Sequence, residues 1–82
     1  MIIKPCKGSD AFEFIPEREM KLDLYKIANY FDEIKIKTRI VIIVKYKGID
    51  VSIYPSGRML IHTTDKDKAI SIASAIKRII YE

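Results

Sequence analysis

Apolar residues along the chain follow two different periods, and the change of period marks the predicted elements. Leu24, Ile27, Ala28 and Phe31 recur at spacings of three and four, which predicts an amphipathic helix with Asp23 as its N-cap. From 34 to 46 the period is two and Val, Ile and Tyr prevail, which predicts a full strand or a strand with a bend.

A second helical stripe lies near the end of the chain, at Ala69, Ile72, Ala73, Ile76 and Ile80. Thr64 is the predicted N-cap of this helix, and acidic residues in its first turn favour the helix dipole. The stripe predicts that one side of the helix packs on the rest of the protein.

Glycine and proline separate the remaining apolar segments. Gly48 predicts a hairpin turn before "VSIY", and Gly57 predicts a tight turn between "VSIY" and "RMLIHTT". "AFEFIPE" is a short strand closed by Pro16, and residues 1–10 are interpreted as a flexible lead-in or loop that starts with a short strand. The order strand, helix, three or four antiparallel strands, helix predicts one two-layer α+β domain over 1–82, with both helices on one sheet face.

Such a sheet keeps its other face open, and strand alternation predicts which residues lie on each side. The predicted core-facing set is Ile34, Ile36, Thr38, Ile40, Ile42, Val44, Tyr46, Val51, Ile53, Met59 and Ile61. The predicted open set is Lys35, Lys37, Arg39, Val41, Ile43, Lys45, Lys47, Ser52, Tyr54, Arg58, Leu60 and His62. The open set is basic at its ends and apolar in its middle, which suits phosphate contacts at the rim and base or sugar contacts at the centre. The alternative is a solvated face with lysines for solubility, whose apolar middle is covered by a dimer partner.

Composition limits the partners and the compartment. The chain of 82 residues has 15 Lys and Arg against 11 Asp and Glu, a net charge of +4, which permits a polyanionic partner without requiring one. A single cysteine, Cys6, excludes an internal disulfide, and the absence of a signal peptide or bilayer-length apolar run predicts a cytoplasmic protein with no membrane partner. Seventeen Ile, eleven Lys and no Gln fit a thermophile, although an AT-rich genome produces part of that bias.

Candidate chemistry is sparse. His62, Cys6 and Ser56 are the side chains considered, and none stands in a pattern of a metal site, a reactive thiol or a nucleophile turn. The acidic residues of the first twenty give no defensible acid and base pair, and there is no nucleotide fingerprint. The sequence therefore predicts no enzyme, no metal and no cofactor.

Two separated segments carry a resemblance to a known family. "DVSIYPSGRMLIHTTDKDKA" with the helix "ISIASAIKRII" resembles the distal part of one repeat of the TATA-box-binding protein, where a strand, Phe, Ser-Gly-Lys-Met and a strand lead into an acidic-start helix. "KLDLYKIANYF" resembles the first helix of that repeat, which also opens with Lys-Leu-Asp-Leu. The resemblance covers 21–80 and implies one repeat of a half-saddle fold, whose family members normally contain two in tandem.

The resemblance also implies a DNA-binding surface, because the concave sheet face of that family binds the minor groove and Phe side chains wedge between base steps. The family's concave positions fall on Arg58, Leu60, His62, Ser52, Tyr54, Val41 and Ile43. One wedge aligns with Tyr54, and the other aligns near Lys37, which cannot wedge. The Asn that family repeats place in the first strand has no counterpart in "AFEF".

Together these observations predict a small nucleic-acid-binding, transcription-related protein that forms a homodimeric saddle and favours duplex DNA. The predicted contact residues are Lys35, Lys37, Arg39, Val41, Ile43, Lys45, Ser52, Tyr54, Arg58, Leu60 and His62. Two alternatives remain open. One is a protein-interaction or regulatory module of the same fold that binds no nucleic acid, and the other is an accessory domain similar to those appended to nucleic-acid enzymes.

Overall fold

The computed structural model describes residues 2–5 and 10–81, and these form one antiparallel sheet and two helices. The strands are β1 (Ile2–Pro5), β2 (Phe12–Ile15), β3 (Glu33–Lys37), β4 (Ile42–Tyr46), β5 (Ile49–Ile53) and β6 (Met59–Ile61), and the helices are α1 (Leu24–Ala28) and α2 (Lys66–Tyr81). The strand order across the sheet is β1-β2-β6-β5-β4-β3, and all neighbouring strands are antiparallel. The predicted α+β class is confirmed.

One hydrophobic core lies between the sheet and the helices. Both helices and alternate residues of the four central strands contribute to a single cluster: Phe14, Leu24, Ile27, Ala28, Phe31, Ile42, Val44, Val51, Ile53, Met59, Ile61, Ala69, Ile72, Ala73 and Ile76. Because alternate strand residues share one side of a sheet, both helices cover the same face. The predicted helical stripe of α2 and the predicted inward residues of β5 and β6 are confirmed, whereas the buried Phe31 of the first predicted stripe lies beyond the end of α1 at Ala28.

The caps explain where the helices begin. The Asp23 carboxylate accepts hydrogen bonds from the backbone N–H groups of Tyr25 and Lys26, as predicted for an N-cap. At α2 the carboxylate of Asp65 accepts from the N–H groups of Asp67 and Lys68, at 3.0 and 3.2 Å. The predicted cap at Thr64 is therefore wrong by one residue, because the following aspartate provides the acceptor.

Two turns hold the central strands in register. Lys47 and Gly48 both have positive φ, 51° and 78°, which is the backbone of a two-residue hairpin loop that follows the right-handed twist of the strands. Gly57 has a φ of 93°, and a Cβ there would approach the Met20 sulfur to 3.1 Å. Both turns are predicted at glycine, and at Gly57 a side chain would also require Met20 to shift by a few tenths of an ångström.

The segment from 34 to 46 is a hairpin and not one long strand. Its two halves, β3 and β4, pair with each other, and Thr38 to Val41 form the connection. The Thr38 hydroxyl donates to the carbonyl of Val41 at 2.8 Å and accepts from the N–H groups of Ile40 and Val41. The predicted alternation is therefore wrong at Ile36, which pairs with Ile43, and at Ile40, which lies in the connection; they are 46% and 74% exposed. Ile34 keeps the predicted side, because it pairs with the buried Val44, but it is 39% exposed at the sheet edge.

The start of the chain extends the sheet. Ile2 to Pro5 pair with β2, which confirms the short strand predicted at the start of the chain. The interpretation of residues 1–10 as a flexible lead-in or loop is wrong for these four residues. Cys6 lies outside the described residues. In the part of the chain that the structure describes, neither helix has the length and apolarity needed to cross a bilayer.

Candidate functional site

The sheet face opposite the helices, here called the open face, is defined by the strand register. Directly paired residues point to the same side, so a row runs across all six strands through Lys4, Glu13, Leu60, Ser52, Ile43 and Ile36. A second row contains His62, Asp50, Lys45 and Glu33, and a third contains Ile15, Arg58, Tyr54 and Val41. Nine of the eleven predicted contact residues come together on this face: Lys35, Val41, Ile43, Lys45, Ser52, Tyr54, Arg58, Leu60 and His62.

Lys37 and Arg39 do not join the open face. The pairing shifts between Ile34 and Ile36, which places a bulge at Lys35. Beyond the bulge Lys37 is paired with the buried Ile42, and its ammonium group lies 5.8 Å from the ring centre of Tyr25 on the helix side. Arg39 is exposed in the hairpin connection. The predicted placement of Lys37 is wrong because a bulge reverses strand alternation.

The same bulge brings Ile36 to the open face, opposite Ile43. Ile36 had been predicted in the core, yet it is 46% exposed. Val41, Ile43 and Leu60 are half-buried, so together with Ile36 they form an apolar centre that the protein itself covers only in part. Such a surface is a recognised sign of an interaction site.

Carboxylates, which the sequence reasoning did not place here, neutralise much of the basic rim. Glu13 lies 3.3 Å from the guanidinium of Arg58 and 4.0 Å from the ammonium of Lys4. Lys35 donates a 2.9 Å hydrogen bond to the carboxylate of Asp50. Glu13 is next to the buried Phe14 in "AFEF", and Asp50 is next to the buried Val51. Because neighbouring strand residues point to opposite faces, this pattern would have placed both carboxylates on the open face.

Tyr54 and Arg58 form a stacked pair beside the apolar centre. The guanidinium carbon lies 4.7 Å from the ring centre, and the Tyr54 N–H donates to the Arg58 carbonyl at 2.9 Å. The backbone bond fixes the two residues side by side, and the cation covers one face of the ring. Stacking of another group on that face requires Arg58 to move.

A polar cluster of Asp50, Ser52 and His62 lies on the other side of the centre. The hydrogen bond from Lys35 holds the pKa of Asp50 below its ordinary value, with smaller contributions of the same sign from Lys45 and His62. The Oδ1 atom of Asp50 is shielded from solvent and has no hydrogen-bond partner among the described residues. The charged carboxylate is therefore held mainly by one lysine.

Ser52 Oγ and His62 Nε2 lie 3.3 Å apart, within hydrogen-bond distance. The residue types match those of a catalytic triad, but Ser52 is only 4% exposed in the middle of a strand. A nucleophile must reach a substrate carbonyl, and Ser52 is enclosed by its neighbours in the row. The pair is better described as a satisfied polar contact within the open face.

Among the described residues no three His, Cys, Asp or Glu side chains come close enough to hold a metal ion. Comparison of the chain with protein-family models, with curated proteins and with solved structures finds no match. The resemblance to the TATA-box-binding protein thus stays a prediction.

Proposed function

We propose that the protein is a non-catalytic interaction module whose open face docks against the surface of a protein. The observation that carries this proposal is the combination of an apolar centre with a rim on which Lys35 and Arg58 are each paired with a carboxylate. Ile36, Val41, Ile43 and Leu60 offer aliphatic contact area, and hydrophobic burial is the main driving force of protein association.

The electrostatics of the rim favour a protein over a polyanion. Lys35 and Arg58 are two cations of the open face, and each is paired with a carboxylate of the same face. A phosphate that approaches Lys35 or Arg58 also approaches Asp50 or Glu13, which repels it. Cations that are already paired with carboxylates release few counterions when a nucleic acid binds, so the electrostatic contribution to nucleic-acid affinity is small.

A site-specific photo-crosslinking experiment tests this function. A diazirine-bearing amino acid replaces Leu60, at the centre of the open face, and in a matched control it replaces Ile70, an exposed isoleucine of α2 on the other side of the molecule. We expect a protein adduct in cells from position 60 and none from position 70. No adduct at position 60, or an adduct with nucleic acid alone, contradicts the proposal.

A second candidate is nucleic-acid binding by a homodimeric saddle of the TATA-box-binding-protein type. Three observations support it. The positions that align with the family's concave surface lie together on the open face, and Tyr54 is only half-buried. Ile36 stands on the open face close to where alignment put Lys37, and an aliphatic side chain can wedge between base steps.

Fluorescence anisotropy with duplex DNA, single-stranded DNA and RNA at two salt concentrations tests the second candidate. If it holds, Lys45→Ala weakens binding to all sequences and lowers the salt slope by about one unit. Lys37→Ala, on the helix side, is the matched control and leaves binding unchanged. Tyr54→Ala reduces affinity with little change of slope, and Tyr54→Phe retains it. Absence of binding at low salt removes this candidate.

A further inference from the structure

We infer that the partner of the open face is the open face of a second copy of this chain, which gives a symmetric dimer with layers helix, sheet, sheet, helix. This inference rests on the proposed protein-docking function and names its partner. The two apolar centres would meet across the two-fold axis, as in a sandwich of two sheets about 10 Å apart. The arrangement covers the face that a two-layer domain leaves bare.

The size of the face suits a stable dimer. The Cα positions of the described residues extend over 28 × 27 × 23 Å. A rectangle with two of these lengths, which is an upper bound on the footprint of one face of the domain, measures roughly 600–750 Å², of the same order as the ~800 Å² that each partner buries in a standard-size interface. A face-to-face contact therefore uses most of the sheet, including the rows on both sides of the apolar centre.

The charge of the face allows it to meet its own copy. By register and ion pairing it carries four cations and three carboxylates: Lys4, Lys35, Lys45 and Arg58, with Glu13, Glu33 and Asp50. A strongly basic face would repel an identical face, whereas this mixture leaves little net repulsion. Paired cations and carboxylates at both flanks can also exchange partners across an isologous interface.

The sheet edges are less suited to self-association than the face. Edge strand β3 contains the bulge at Lys35 and a second lysine at 37, and edge strand β1 ends in Pro5, which has no N–H to donate. Bulges, lysines and proline are the features by which sheet edges resist the addition of another strand. An edge-to-edge dimer is therefore disfavoured relative to a face-to-face one.

Analytical ultracentrifugation of the full chain and a matched pair of variants test the inference. Ile36→Lys places a charge on the open face, and Ile70→Lys places the same charge on the exposed side of α2. Both isoleucines are already exposed, 46% and 39%, so neither change threatens the fold, and circular dichroism checks this. We expect the wild type to dimerise, Ile36→Lys to raise the dimer Kd at least about tenfold, and Ile70→Lys to leave it unchanged.

Isotope-filtered NMR on a mixture of labelled and unlabelled chains locates the contact. We expect intermolecular contacts between methyl groups of Ile43 and Leu60 of the two copies. Contacts confined to the outer backbone edges of β1 or β3, or to the helices, overturn the inference, as does a wild type that stays monomeric at its highest soluble concentration. If the purified chain is monomeric while the probe at position 60 captures a different protein, the second-copy inference fails and the docking function stands; a nucleic-acid adduct alone removes both.

Discussion

Ile42 and Ile43 are consecutive residues of one strand, yet they belong to two different surfaces. Ile42 points toward the helices and is completely buried, while Ile43 points to the open face and is half-buried. The helix side of the sheet is apolar throughout its centre, and the open face mixes aliphatic residues with ion pairs. The difference is that the chain itself covers the helix side of the sheet, whereas the aliphatic residues of the open face stay partly exposed.

Truncation of a core residue on the helix side should cost the most stability. Ile76→Ala removes a fully buried side chain of α2 from the core and should lower the free energy of unfolding by roughly 2 to 5 kcal/mol. Denaturant unfolding measures the change. A midpoint close to that of the wild type would mean that the core between α2 and the sheet is not as described.

Truncation of the two neighbouring isoleucines compares the faces directly. Ile42→Ala should cost roughly 2 to 5 kcal/mol, and Ile43→Ala only about 1 to 2 kcal/mol, because part of its surface already contacts water in a single chain. The measurement is denaturant unfolding at low protein concentration. Equal costs would show that the open face is as well packed as the core.

The hairpin connection determines which β3 residues reach the open face. Thr38→Ala removes the hydroxyl that makes three hydrogen bonds with the backbone of Ile40 and Val41 and should destabilise the protein by about 1 to 2 kcal/mol. Thr38→Ser, which keeps the hydroxyl, is the control. Loss of amide protection in β3 but not in β5 would be seen by hydrogen exchange; uniform protection would contradict the role of Thr38.

The smallest effect concerns the charges of the open face. The lowered pKa of Asp50 means that its stabilising contribution is complete above the pKa of the unfolded chain, about 4, and is lost as the pH falls through the lower folded value. Asp50→Asn should therefore reduce the loss of stability on acidification below pH ~4. Unfolding midpoints measured across this range test the ion pair with Lys35, and identical acid profiles of variant and wild type would refute it.

Elements whose local pattern agrees with their tertiary packing could be predicted from the sequence. The stripes of α1 and α2 and the turns at Gly48 and Gly57 were predicted because each depends on residues close in the chain. The inward residues of β5 and β6 followed from simple alternation between two well-marked turns. Most of the open face could be predicted for the same reason.

The errors cluster at β3. Residues Glu33 to Lys37 continue the alternation of apolar and polar residues into β4 without interruption. The amino-acid pattern therefore does not distinguish one long strand from a hairpin with a bulge. The turn depends on the hydroxyl of Thr38, and the bulge depends on how β3 meets the register of β4. The exchange of Lys37 for Ile36 on the open face is the consequence, and it makes that face less basic and more apolar.

The α+β class, the two amphipathic helices and the buried side of the central strands could be predicted from the sequence, because periodicity encodes which side of an element avoids water. Three features could not be predicted in this way: the pairing of β1 with β2, the reversal of strand alternation at Lys35, and the neutralisation of Arg58 and Lys35 by Glu13 and Asp50. These features depend on contacts between strands distant in the chain, and strand register is set by the whole sheet rather than by any one segment.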